Sequence, residues 1–84
     1  VLSMQTQEIL HNFIQTKILA GKTSGEIGHD DDLLLSGLVN SLDVLRLVTF
    51  VQETFAIQVP PEDIVIENFQ TIAAIARYVQ SRAA

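Results

Sequence analysis

Ser41 is the side chain best placed to do chemistry in this sequence. It follows Asn40, and a segment with helical apolar periodicity begins immediately after this pair. Asparagine is a favoured helix N-cap, so we expect Ser41 in the first turn of a helix, where backbone N–H groups and the helix dipole favour an attached anion. The hydroxyl of Ser41 is therefore well placed to carry a phosphodiester.

Two other sets of polar residues offer less chemistry. Asp30, Asp31 and Asp32 are adjacent acids, whereas a calcium loop needs spaced acids, a glycine and a distant glutamate, so we predict a solvated run of charge. His11 and His29 fall on a helix and in a loop without a matching cysteine, which predicts ordinary surface roles. No metal site is predicted.

Composition places the chain among small helical domains. Its 84 residues are 48% apolar and 6% aromatic, which predicts one domain spanning residues 1–84. The absence of cysteine excludes disulfides and thiol nucleophiles, so any thioester sulfur must come from a cofactor. A net charge of −5 and a pI near 4.6 argue against nucleic acid as a partner, because phosphate binding needs clustered basic residues.

The segment before the serine divides into a helix and a loop. Apolar residues at three- and four-residue intervals predict a first amphipathic helix from about Ser3 to Leu19, ended by Gly21. The helical period is absent from Gly21 to Gly37, which predicts a long ordered loop. The leucines near its end are expected to fix its second half to the core.

The helix that carries Ser41 is predicted to start at Asn40 or Ser41 and to end near Phe55. A helical wheel at about 100° per residue separates its faces. The predicted buried side consists of Val44, Leu47, Val48, Val51 and Phe55. The opposite side carries Leu42, Arg46, Thr49 and Glu53, with Leu45 at its edge.

Two more helices follow. Proline at a helix start predicts a short turn from Pro61 to Val65. Thr71 is the predicted N-cap of the last helix, which runs to about Arg82. Its predicted buried stripe is Ile72, Ile75, Ala76 and Val79. The sequence therefore predicts the all-α class, with four helices of which the third is short.

Three segments carry a resemblance to the acyl and peptidyl carrier proteins. They are Gly37-Leu38-Val39-Asn40-Ser41-Leu42 with Leu34 before it, Phe55-Ala56-Ile57-Gln58-Val59-Pro60, and Phe69-Gln70-Thr71-Ile72. The predicted order of elements also resembles that family along nearly the whole chain. The resemblance implies a four-helix bundle of the acyl carrier protein type, with a long loop between helices 1 and 2 and a short helix 3.

The same resemblance implies that Ser41 receives a 4′-phosphopantetheine arm from coenzyme A through a phosphopantetheinyl transferase. The thiol of the arm would hold an acyl or aminoacyl group as a thioester for loading and downstream biosynthetic enzymes, and the chain itself would not be an enzyme. Most of the family has Asp where this chain has Asn40, which caps a helix about as well but without the charge. The alternative is an unmodified protein–protein interaction module of the same fold.

The outward side of the second helix is the predicted partner-docking face, since docking there brings a partner's pocket to the arm. It comprises Leu42, Leu45, Arg46, Thr49 and Glu53. Carriers of fatty-acid synthesis are more acidic along this helix, so partner recognition is predicted to depend more on apolar contact than on charge steering. This favours secondary metabolism of the polyketide or nonribosomal peptide type.

The remaining expectations concern location and assembly. No apolar run reaches the length of a bilayer span, and the N-terminus lacks a signal-peptide pattern, so a cytoplasmic protein without membrane contact is expected. We expect a monomer, and the lack of Pro- or Gly-rich flanks favours a free-standing protein. The cargo stays open between an acyl chain and an amino acid.

Overall fold

The computed structural model describes residues 2–19 and 25–83. Its α-helices are α1 (Leu2–Phe13), α2 (Ser41–Phe55), α3 (Ile66–Phe69) and α4 (Ile72–Ala83). A π-helical segment, Ile14–Ile18, continues α1, and a 3₁₀ turn, Pro61–Asp63, precedes α3. No strand occurs within the described residues, which confirms the predicted all-α class.

The first helix agrees with its predicted span. α1 and its π-helical continuation together differ from the predicted bounds by one residue at either end. Leu10, Ile14 and Ile18 are buried, whereas Ile9 is 39% exposed and lies outside the core. The predicted helix end at Gly21 falls outside the described residues.

The core is centred on α4, which packs against α1, α2 and α3. The four apolar residues of its predicted stripe are at most 2% exposed. Thr71 caps this helix as predicted, since its Oγ1 accepts a hydrogen bond from Ala74 N at 3.0 Å. From α2, Leu47, Val48 and Val51 are buried, and the half-buried Val44 and Phe55 pack against the same core.

Three polar side chains of the first helix, spaced four residues apart, hold the following loop. His29 Nδ1 donates to Gln7 Oε1 at 2.7 Å, and His11 Nε2 donates to Ile27 O at 2.9 Å. Gln15 Oε1 accepts from Ile27 N at 2.8 Å. The two histidines are therefore partly buried ties between the loop and the helix, and the prediction of ordinary surface roles is wrong.

The second half of the loop is fixed near the start of α4. The fully buried Leu33 donates its N–H to Gln70 O at 2.8 Å, and its carbonyl accepts from Val39 N at 2.9 Å. The carboxylate of Asp32 accepts from Gln70 Nε2 and from Leu35 N, both at 2.7 Å. The hydrogen bond from Gln70 lowers the pKa of Asp32. Asp32 is thus a structural tie and not only a solvated charge as predicted.

The short helical region differs from the prediction of a single turn from Pro61 to Val65. The 3₁₀ turn ends at Asp63, and the separate helix α3 begins after Val65, which provides no side-chain cap. α3 is held by tertiary packing, because it contacts α4 and its Phe69 is buried, and Asn68 Nδ2 adds a local hydrogen bond to Asp63 O at 2.9 Å. No local capping signal marked this helix in the sequence.

Candidate functional site

The first turn of α2 is closed by a capping box. Asn40 Oδ1 accepts a hydrogen bond from Asp43 N at 2.9 Å, and Asp43 Oδ2 accepts one from Asn40 N at 3.3 Å. The asparagine cap was predicted, but the return bond to Asp43 was missed although the three-residue spacing is that of the motif. The two bonds fix the start of α2 and hence the position of Ser41.

Ser41 is exposed and is the first residue of α2. The turn that leads to it uses Gly37, whose φ of 82° lies in the left-handed region. A β-carbon on Gly37 would meet no atom within 4 Å, so the backbone conformation and not space favours glycine there. The positive end of the α2 dipole lies at Ser41, a position that favours any anion attached to the hydroxyl.

A cleft of about 630 Å³ adjoins Ser41. On the α2 side it is lined by Asn40, Ser41, Val44 and Leu45. The remaining lining residues are apolar or glycine, namely Leu34, Gly37, Val39, Ile64, Val65, Ile66 and Phe69. The serine hydroxyl therefore lies beside a largely apolar recess, a kind of site that can shelter a hydrocarbon group from water.

The five residues of the predicted docking face are all exposed. Leu42 and Leu45 have 72% and 56% of their surface open to solvent, and Leu45 also lines the cleft. Arg46 is engaged within the chain, since its Nη2 donates to Lys17 O at 3.2 Å and its Nη1 lies 3.5 Å from Asp43 Oδ1. The structure thus joins Arg46 to the capping box and to the end of the first helix.

Comparison with protein families agrees with this geometry. A family model described as the phosphopantetheine attachment site matches residues 18–79, which is most of the chain. The chain belongs to the acyl and peptidyl carrier protein family. As a carrier it bears 4′-phosphopantetheine as a covalent cofactor, which supplies the thiol that a chain without cysteine lacks. A comparison with curated proteins gives no match.

Membership of the family defines the type of activity. Carrier domains are not themselves catalytic, and they act with phosphopantetheinyl transferases and with biosynthetic enzymes. None of the helices described for this carrier is long and apolar enough to cross a membrane. Within residues 2–19 and 25–83, no group of three or more His, Cys, Asp or Glu side chains has the arrangement of a metal site.

The cleft wall opposite α2 is anchored in the carrier by Tyr78 of α4. The Tyr78 hydroxyl donates to Asp63 Oδ2 at 2.6 Å, just before the wall residues 64–66. Burial raises the pKa of Tyr78 to about 12, and the hydrogen bond to Asp63 acts in the same direction. The wall is therefore held at one end by this bond and at the other by the buried Phe69.

The raised pKa of Tyr78 predicts that stability falls as the pH rises above 10.0, the ordinary value for this phenol. Between 10.0 and about 12 the unfolded chain has released the proton while the folded carrier retains it, so the unfolded state becomes relatively more favourable. Urea midpoints measured below and within this interval should decrease with pH. Tyr78→Phe removes the one tyrosine and should flatten the decrease. An equally steep decrease in this variant would contradict the assignment.

Proposed function

We propose that Ser41 carries the arm of this carrier and that the carrier presents acyl or aminoacyl thioesters to biosynthetic enzymes. The observation that carries the proposal is the position of Ser41, which is exposed at a capped helix N-terminus and lines an apolar cleft. A transferase can reach this hydroxyl from solvent. The helix dipole stabilises the phosphodiester that results.

The residues around Ser41 have separate roles in this proposal. The Ser41 oxygen forms the new P–O bond and loses the hydroxyl proton, while the pyrophosphate P–O bond of coenzyme A breaks and adenosine 3′,5′-bisphosphate leaves. Asn40 and Asp43 fix the backbone at the start of α2, and so the Ser41 main chain, through the capping box. The apolar lining of the cleft supports an acyl chain as cargo, because such a chain gains free energy when it leaves water. An aminoacyl group can remain outside on the arm.

The docking face on α2 is proposed as the surface that partner enzymes contact. Exposed leucines beside the attachment point support this assignment. Leu42 and Leu45 leave apolar surface in water in the free carrier, and a docked partner would cover it. Asp43 is buried in the capping box, so Glu53 is the one exposed acid on α2. This sparse negative charge supports recognition by apolar contact, and with it a secondary-metabolic pathway over bulk fatty-acid synthesis.

Intact mass spectrometry tests the attachment directly. The carrier is incubated with coenzyme A and a broad-specificity phosphopantetheinyl transferase, and the product is fragmented to locate the added group. The expected result is one arm per chain on the peptide that contains Ser41. An unmodified chain would favour the interaction module, and an arm on another residue would overturn the site. The mass of carrier from its native host would report arm and cargo together.

Two substitutions of Asn40 distinguish the effect of the helix cap from the effect of the negative charge that most of the family has at this position. Asn40→Ala removes the side-chain acceptor and should lower the free energy of unfolding by about 1 kcal/mol. Asn40→Asp keeps the acceptor, so stability should change by less than about 0.5 kcal/mol. The added charge can pair with a basic transferase surface and should raise the modification rate about two- to fivefold at low salt. Urea unfolding and time-resolved intact mass measure the two effects. An unchanged rate for Asn40→Asp would show that the charge does not affect recognition.

A further inference from the structure

A second recess lies between the first helix and α2, on the side of α2 away from Ser41. We call it the α1–α2 groove; its volume is about 370 Å³, and it is lined by Phe13, Lys17, Arg46, Thr49, Phe50 and Glu53. Phe50 follows Ser41 by nine residues, which places the two side chains about 180° apart around the helix axis. The groove is therefore separate from the cleft beside the arm.

The floor of the groove is aromatic. The rings of Phe13 and Phe50 stack with centroids 3.9 Å apart and planes inclined by 12°. Both side chains are half-buried and pack against the hydrophobic core, so the pair is held in place and still exposes part of its surface. A rigid aromatic surface of this kind provides contact area for an apolar side chain at little cost in conformational entropy.

One end of the groove carries two basic side chains, one of which is also paired with Asp43. Lys17 and Arg46 are two of the five basic residues in a chain with ten acidic ones, and both line this recess. The Arg46 guanidinium is oriented by its bonds to Lys17 O and Asp43 Oδ1. A guanidinium has five N–H donors, and these two bonds leave further donors for a carboxylate. Orientation before binding reduces the entropy lost when that carboxylate arrives.

The other end of the groove is negatively charged. Glu53 follows Arg46 by seven residues, which corresponds to about 10 Å along the helix axis. A carboxylate in the groove is attracted at the Arg46 end and repelled at the Glu53 end. The charges therefore impose one direction on any segment that binds.

We propose that the α1–α2 groove binds a segment of a partner protein that carries an acidic side chain next to an apolar one. The carboxylate binds at Arg46 and Lys17, and the apolar side chain lies on the Phe13–Phe50 floor. Three residues of the groove, Arg46, Thr49 and Glu53, belong also to the docking face, so a partner can contact both surfaces at once. This surface extends partner recognition onto the first helix and does not depend on the arm.

NMR titration of the isotope-labelled full chain tests the proposal with acetyl-Phe-Glu-amide as the probe and acetyl-Phe-Gln-amide as its neutral match. We expect saturable shifts at groove residues with the acidic peptide, with a dissociation constant of about millimolar order for so small a ligand. The dissociation constant of the neutral peptide should be at least about fivefold higher, because this peptide lacks the charge-assisted hydrogen bonds. Equal binding of both peptides, or no saturable shift in the groove, would overturn the proposal.

Variants place the binding in the groove. Arg46→Gln and Lys17→Gln should each weaken binding of the acidic peptide, and Arg46→Gln should have the larger effect. Either variant is a sufficient test if the other fails to fold. Arg77→Gln is the matched control, because it removes an exposed arginine of α4 that is outside the groove. Ser41→Ala should leave peptide binding unchanged, which keeps this test distinct from that of the arm. Equal weakening by Arg46→Gln and Arg77→Gln would contradict a specific site.

Discussion

Ser41→Ala is expected to abolish attachment of the arm completely, because alanine has no oxygen to form the bond to phosphorus. The loss of modification is complete, because the acceptor atom itself is missing. The fold should be retained, since Asn40 and not Ser41 provides the cap of α2. We expect the free energy of unfolding to change by less than about 0.5 kcal/mol, as is usual for exposed positions.

Ser36→Ala is the matched control for this experiment. Ser36 is an exposed serine five residues before the site, and its hydroxyl donates to the carbonyl of Asp32. It should accept no arm, and Ser36→Ala should be modified at the parent rate. Intact mass after incubation with transferase and coenzyme A measures both variants. A full mass increase on Ser41→Ala would assign the arm to another residue. Loss of modification in Ser36→Ala would show that the loop before α2 is also needed for the transfer.

The elements that local signals specify were predictable from the sequence. Asn40 and Thr71 are polar caps followed by apolar residues at helical spacing, and α2 and α4 start directly after them. A capping hydrogen bond joins residues three apart, so its signal is contained in a few neighbouring letters. The exposed position of Ser41 follows from the same signals, because the helical period fixes which side of α2 is buried.

The parts that sequence reasoning missed depend on contacts between distant residues. The tie between His29 and Gln7 joins positions 22 residues apart, and that between Gln70 and Asp32 joins positions 38 apart. No periodicity reports such pairs. α3 has no cap and is fixed by tertiary contacts, so the wall that completes the cleft was equally hidden. The bond from Asp43 back to Asn40 is the exception, because its spacing was readable.

Phe69→Ala is expected to have the largest effect on stability, lowering the free energy of unfolding by about 3–5 kcal/mol. Phe69 is 1% exposed, and its ring lies 5.9 Å from that of Tyr78, centroid to centroid. It also lines the cleft, so its removal leaves a void between the core and the cleft. Domains of this size have about 5–15 kcal/mol of stability in total. The variant should therefore be only marginally folded.

Val65→Ala separates the two roles of Phe69, because Val65 lines the same cleft but is 41% exposed. Its truncation should cost less than about 1 kcal/mol, since little buried surface is lost. The loss of unfolding free energy in Phe69→Leu should lie between those of the two alanine variants, because leucine fills part of the void. Urea unfolding followed by circular dichroism gives all three values. If Phe69→Ala cost no more than Val65→Ala, Phe69 would be a residue of the cleft surface only, and the contact between α3 and α4 would not depend on its ring.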